Sequence, residues 1–462
     1  MSTSISHSAS PETAKAQLGA MIEEALARNA VEDSAVRLEV PLEPVNAIAW
    51  LQAQGQQSRG YWRNRNGNFE LAGIGLADMI TAEADTDYDA IFRHLQSHIA
   101  AVHPDLRYFG GMRFSTRRTT SESWTIFGAY RFILPRFEIL NRGDQSYLAC
   151  NLVFHENLER ESLNTELQAE LASMTFPESA ADTALPVCTD RIDTPDYNGW
   201  QHLVEDALRE IELNHFQKAV LARETCMTFN APLDPAPMLA RLVNATHDCY
   251  LFCFQPKPGA AFVGASPERL FKRRGRHIET EALAGTRARG ETPEEDGQLS
   301  TALLDSDKDR REHRIVLDTV KALLEERCHA VHTDDDTSLL KLARSQHLYA
   351  RLEGLLKEDE SNATLLRDLH PTPAVGGQPR EAAVNWLDDQ EPFDRGWYAG
   401  PVGWVSADAA EFAVGIRSGL IADNTLSLYS GAGIVEGSIA KDEWAEIENK
   451  MSNLLHPLQD NR

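Results

Sequence analysis

Two carboxylate pairs stand at helical spacing in the second half of the chain. Asp309 and Glu312 are three residues apart, and so are Glu443 and Glu446. Residues at i and i+3 share a helix face, so two helices could each offer oxygen ligands to one hard divalent cation. Magnesium takes one or two protein carboxylates and keeps waters, which leaves room for a substrate. The same spacing also describes an ordinary solvated helix face. Lys450 lies four residues after Glu446 and seven after Glu443. It reads either as a surface Glu–Lys partner worth ~0.3–0.5 kcal/mol or as a cation beside a ligand carboxylate.

Lys218 and Glu268 are candidates for proton transfer. Lys218 opens an apolar run at 219–222. An exposed lysine there would be inert, but enclosure lowers a lysine's pKa and makes it a general base. Glu268 follows Pro267 at the head of another strand. It is either a turn carboxylate capping nearby N–H groups or a general acid kept protonated by a confined site. Arg417 alternates with apolar residues in 414–418. Its fork suits a carboxylate, whether of a substrate or of a structural Glu. Glycines mark Ala284-Gly-Thr286, Val375-Gly-Gly-Gln378 and Ser430-Gly-Ala-Gly-Ile434. They serve as turns or as backbone that approaches an anion closely. Neither the dinucleotide nor the P-loop glycine pattern is present, so those readings have no support.

These residues need elements to place them. Trp200, Leu203, Val204, Ala207, Leu208 and Ile211 follow the helical period. Short strands are expected at 219–222, 250–255, 261–264, 269–272 and 277–280, joined as an antiparallel meander by turns such as Pro256-Lys-Pro-Gly259. One long helix is predicted over 298–327, with Val316, Val320, Leu323 and Leu324 on one face. The acidic turn His332-Thr-Asp-Asp-Asp-Thr337 is expected to separate two helices. Further strands are predicted at 400–405, 411–418 and 425–430, and a last helix at 442–455. Upstream, 128–140 and 146–154 are β-like, and 164–196 reads as a helix plus a connection. Mixed strands and helices with long-range pairing indicate an α+β class. The organisation read is a loose tail over 1–15, an N-terminal half over 16–190 and a catalytic core over 191–462.

Composition narrows the partners. The chain has 462 residues, ample for a sizeable core, and a formal net charge of −25. That sign argues against a general nucleic-acid binder and against an anionic membrane surface as the partner. No segment approaches the ~18 consecutive apolar residues of a membrane span. The six cysteines show no paired metal-binding spacing and are too sparse for a disulfide scaffold. The opening residues are polar, with no apolar signal core. A reduced, cytoplasmic protein is expected.

Ten segments occur in order: Lys218-Ala-Val-Leu-Ala-Arg223, Gly264-Ala-Ser-Pro-Glu-Arg-Leu270, Thr280-Glu-Ala-Leu-Ala-Gly-Thr286, Lys308-Asp-Arg-Arg-Glu-His313, Gln346-His-Leu348, His370-Pro-Thr-Pro-Ala-Val-Gly-Gly377, Trp397-Tyr-Ala-Gly400, Ile416-Arg-Ser418, Gly431-Ala-Gly-Ile-Val435 and Glu443-Trp-Ala-Glu-Ile-Glu-Asn-Lys450. Together they resemble the chorismate-utilising enzyme family, and within it the isochorismate synthases of menaquinone or siderophore biosynthesis. The likeness is dense over 200–455 and thinner upstream, through Gly110-Gly-Met-Arg-Phe114 and 127–137.

The resemblance implies a large anthranilate-synthase-like fold of layered antiparallel sheets flanked by helices around a deep chorismate site. It makes Lys218 the base that activates a water at C2 of chorismate, and Glu268 the acid that protonates the departing C4 hydroxyl. It makes Glu312 and Glu446 direct Mg2+ ligands, with Asp309 and Glu443 acting through water. Some relatives carry Glu where this chain has Asp309. Tyr398, Arg417 and the Gly431 and Gly433 backbone fall on the clamp for the enolpyruvyl carboxylate. Ala284, Gly285, Thr286, His347, Ala374 and Lys450 fall on further substrate-site positions. Anthranilate synthases carry glutamine in place of Lys218, and aminodeoxychorismate synthases a nucleophilic lysine in place of Ala284. Lys218 with Ala284 therefore implies water as nucleophile and no glutaminase partner. Salicylate synthases tend to have Thr at Ala374, so Ala374 implies an isomerase that stops at isochorismate. The alternatives are a salicylate synthase and a catalytically silent chorismate-binding paralogue. The expected state is a monomer.

Overall fold

The computed structural model describes residues 8–28, 34–55, 58–83, 87–99, 105–155, 158–181, 183–334 and 337–459. Among the described residues two antiparallel sheets carry the fold, one of 12 strands and one of 10. In the larger sheet, Arg59–Arg63 pairs with Tyr250–Lys257, which pairs with Ala260–Ser266. The ladder continues through Ser418–Ala422 and Thr425–Ile434 to Lys218–Phe229. In the smaller sheet, Ser345–Leu356, His277–Ala288, Arg269–Arg274, Ala409–Val414, Pro401–Val405 and Tyr108–Met112 are successive neighbours.

The period-two alternation of strand side chains divides the core. Tyr250, Phe252 and Phe254 enter a cluster shared with Phe271 and Phe412 of the smaller sheet. The intervening Leu251 and Cys253 enter a second cluster with the helices Pro11–Ala27 and Pro235–Ala245. The larger sheet is therefore covered by the smaller one on one face and by helices on the other.

The expected meander is interrupted. Strands form at Tyr250–Lys257, Ala260–Ser266, Arg269–Arg274 and His277–Ala288, but the first two belong to the larger sheet and the last two to the smaller. Pro267, which has no N–H to donate to a ladder, lies at the crossing. The chain returns between Val414 and Ser418. The two crossings are stitched together: Val414 N donates to Glu268 O at 3.1 Å, and Ala265 N to Arg417 O at 3.0 Å. Arg417 has φ +49 there.

Other expectations shift for local reasons. The single helix of 298–327 is two helices, Pro293–Asp305 and Asp307–Arg327. Ser306 breaks it, because its side chain accepts from Asp309 N at 3.3 Å and so caps the second helix. The strands Cys328–Thr333 and Ser338–Lys341 stand on either side of the acidic residues expected to separate two helices, of which 335 and 336 lie outside the described residues. The tail is shorter than residue 15: Pro11 starts a helix that buries Ala14, Leu18, Ile22 and Leu26. Residues 1–7 of that tail lie outside the described residues. The 411–418 strand ends at Val414, where the chain crosses. The boundary read near 190 separates no sheet from another: it falls inside the strand Cys188–Thr194, and both sheets hold strands from each side of it. No helix among the described residues is long and apolar enough to cross a membrane.

Candidate active site

A cavity opens where the two crossings meet two helices, Asp307–Arg327 and Ala440–Gln459. Glu268, Ala284, Gly285, Thr286, Glu312, His347, Ala374, Tyr398, Arg417, Gly431, Gly433, Glu446 and Lys450 all line it. Lys218 stands just behind this wall, against Glu312 and Gly433. Asp309 lies under Gly285, and Glu443 lines the adjoining mouth with Glu446 and Lys450. The structure thus gathers every candidate residue from the sequence at or beside one cavity.

Each group is placed by its element. Lys218 opens the strand Lys218–Phe229, opposite Gln378. Its neighbours Val220 and Ala222 are gripped by a buried pair: Arg395 Nη2 donates to Val220 O at 2.6 Å, and Glu391 Oε1 accepts from Ala222 N at 2.9 Å. Val220 faces Gly433 across the ladder. A Cβ at Gly433 would lie 2.2 Å from Glu312 Oε1 and 3.0 Å from Lys218 Cε, so only glycine lets those two groups meet over the strand. Gly285 sits at the register shift between Ala284 and Thr286, with φ +74, a conformation glycine adopts without strain.

The proton-transfer candidates are shielded from water. Lys218 is fully buried, with Nζ 3.0 Å from Glu312 Oε1 and no well-directed hydrogen bond among the described residues. Burial pushes the Glu312 carboxyl up, but Lys218, Lys450 and Lys308 outweigh it and hold the group below its ordinary value. Glu268 is 4% exposed. Burial, reinforced by Glu281, raises its carboxyl to about 8 against the opposing pull of Lys218, Arg65 and Lys450. One confined site therefore holds a protonated carboxyl and a buried lysine side chain.

The four acids meet four cations. Besides Lys218 with Glu312, Arg287 Nη2 donates to Asp309 Oδ2 at 2.6 Å, Lys450 Nζ lies 2.7 Å from Glu446 Oε1, and Lys308 pairs with Glu443. Burial and Glu446 keep the Glu443 carboxyl above its ordinary value. Oxygen-only donors suit a hard cation. In this arrangement no three His, Cys, Asp or Glu side chains converge on a metal-sized point among the described residues.

The opposite end of the cavity presents Arg417, Lys450 and Tyr398. Arg417 Nη2 donates to His347 Nε2 at 2.7 Å and to Ser345 Oγ at 2.9 Å. His347 Nδ1 therefore carries the proton and faces Thr286 Oγ1 at 3.0 Å. Burial, Arg417 and Lys450 hold the imidazole well below its ordinary value, so it stays neutral. Lys450 Nζ donates to Gly431 O at 2.9 Å. Tyr398 stacks on Tyr429 with centroids 5.3 Å apart, and a Cβ on Gly431 would come within 3.1 Å of its hydroxyl. Burial raises the Tyr398 phenol, so it remains a neutral donor.

Sequence reading missed the residues that support this set. Arg395, Glu391, Ser345 and Arg287 contact it only through the tertiary fold. One local signal was available: Ser345 and His347 are two apart on a strand and so share a face.

Residues 20–459 match a family model described as chorismate binding enzyme. The chain is 32% identical over 465 residues to the chloroplastic isochorismate synthase of Catharanthus roseus, covering 91% of this chain and 80% of that protein. It is 32% identical over 435 residues to the isochorismate synthase MenF of Bacillus subtilis strain 168, covering 90% and 91%. Its fold superposes on the solved structure of the menaquinone-specific isochorismate synthase MenF from Escherichia coli with a TM-score of 0.84 at 30% identity, covering 96% of this chain and 99% of that one.

Proposed function

The chain belongs to the chorismate binding enzyme family, and from that membership we propose that it is a Mg2+-dependent isochorismate synthase, an isomerase of chorismate. The observation that carries the reading is a buried lysine and a buried, protonated carboxyl at one cavity whose other end presents an arginine. Lys218 rather than glutamine, and Ala284 rather than lysine, make water the nucleophile.

In this reading Lys218, in its neutral form, takes a proton from a water as that oxygen bonds to C2 of the ring. The ring double bonds transpose and the C4–O bond breaks. Glu268 gives its proton to the departing hydroxyl, which leaves as water, so one water enters and one leaves. The lysine and carboxylate are reset by proton exchange. General acid and base terms of this kind contribute ~10²–10⁴-fold each. Arg417, Tyr398 and the Gly431 and Gly433 backbone hold the enolpyruvyl carboxylate. Neutral His347 accepts from Arg417 without competing for the anion. Glu312 and Glu446 would hold Mg2+ directly, and Asp309 and Glu443 through water; when bound, the cation neutralises and orients the ring carboxylate. We read the enzyme as a cytoplasmic monomer acting without a glutaminase subunit.

The test is a chromatographic product assay on purified protein with chorismate and Mg2+, run beside an EDTA control. Isochorismate equilibrating with chorismate only in the Mg2+ sample is the expected outcome. Salicylate with pyruvate would overturn the subtype and the weight placed on Ala374. Equal turnover in EDTA would remove the metal, and binding without consumption would mark a silent paralogue.

A further inference from the structure

The N-terminal half contributes a residue to the acid end of the site. Arg65 lies at the tip of the hairpin formed by Arg59–Arg63 and Phe69–Ile74. Its side chain is 10% exposed and forks onto Glu281, whose side chain is fully buried, with Nη1 to Oε2 at 3.0 Å and a second contact from Nη2 to Oε1. The guanidinium also lies over the Tyr250 ring, 5.4 Å from its centroid. Both members of this pair then bind backbone. Arg65 Nη2 donates to Pro267 O, and Glu281 Oε1 accepts from Arg269 N at 2.7 Å. Pro267 and Arg269 are the residues on either side of Glu268.

We propose that Arg65 and Glu281 act as one positioning clamp for Glu268, fixing the peptide on both sides of the acid where the chain crosses between sheets. The proposal rests on the reading of Glu268 as the general acid. The remaining polar backbone groups of Glu268 are already held, its N–H by Ser266 Oγ at 3.2 Å and its carbonyl by Val414 N. The clamp adds the holds on the two flanking peptides, at Pro267 O and Arg269 N. A misplacement of about 1 Å costs on the order of 10²-fold in rate. The pair is also part of the acid's field, which comes from Glu281 and Arg65 together with Lys218, Lys450, Arg417 and Tyr398.

The test compares Arg65→Met, Glu281→Gln and the double variant in the full chain, with Glu268→Gln beside them. We expect each single variant to lose roughly 10- to 100-fold in kcat while KM for chorismate stays within about threefold. The double variant, which leaves no unpaired buried charge, should be no worse than the poorer single one, as for residues that act as a unit. The alkaline limb of kcat/KM should move down in Glu281→Gln, which removes a neighbouring carboxylate, and up in Arg65→Met, which removes a cation. A loss of folding alone moves neither limb in this opposed way. If a single variant fails to fold, Arg65→Lys keeps the charge and should keep the limb while losing kcat. In Arg65→Met and Glu281→Gln, wild-type kcat in both, or reduced kcat with unmoved limbs, would overturn the clamp. Full turnover in Glu268→Gln would instead overturn the acid assignment itself.

Discussion

At the residue scale, Glu268 joins stability to activity. Burial raises its carboxyl to about 8, whereas an unfolded glutamate titrates near ~4.3. The sign follows from linkage: the unfolded chain has lost the proton where the folded one keeps it, so stability falls as pH rises from the ordinary carboxylate range to about 8. In its proposed role as general acid, Glu268 is in its working form below that value and loses its proton above it. Turnover should therefore decline as pH passes about 8. Glu268→Gln, which cannot ionise or donate a carboxyl proton, should abolish turnover yet melt higher than wild type at neutral pH, by the equivalent of roughly 1–4 kcal/mol. A melt and a single-turnover assay on the same preparation decide this, and a lower melting temperature would contradict the buried, protonated state.

At the element scale, the site depends on where elements end. Glu312 lines the cavity and Asp309 lies beside it under Gly285 because Ser306 starts a new helix there, its hydroxyl accepting from Asp309 N. Ser306→Ala should cost about 0.5–2 kcal/mol of stability, the usual loss of a helix cap, read by denaturant unfolding; no change would mean that the break is set by the preceding helix. On the sheets, Glu268 and Arg417 are the side chains of the two crossing points, not of strand interiors. A crossing frees a side chain from the up-and-down alternation of a ladder, so both can point into the space between sheets.

At the scale of the whole molecule, the two halves of the chain cannot be separated. Arg59–Arg63 pairs with Tyr250–Lys257 in one sheet, and Tyr108–Met112 pairs with Pro401–Val405 in the other. Expressed alone, residues 191–462 would expose both of those edges and the apolar faces that Trp62 and Phe109 cover. Unpaired apolar edges aggregate. This fragment should be insoluble or lack cooperative unfolding by circular dichroism, and a soluble, cooperatively melting fragment would contradict the shared-core description.

The candidate groups were legible in the sequence. Residue types at short spacings named both acid pairs, Lys218, Glu268 and Arg417, because i,i+3 and i,i+4 geometry and the ordered motifs are local. It also determined the α+β class and most strands, since alternation and helical period are local too. Tertiary structure decided what those groups experience. Only folding buries Glu268 beside Glu281, sets Lys218 against Glu312 across Gly433, and keeps His347 neutral against Arg417. It also decided that a meander would split between two sheets and that Arg65, 203 positions before Glu268 by their numbers, would reach the peptide beside it. Desolvation and long-range charge depend on distance in space, and no window of sequence contains that distance.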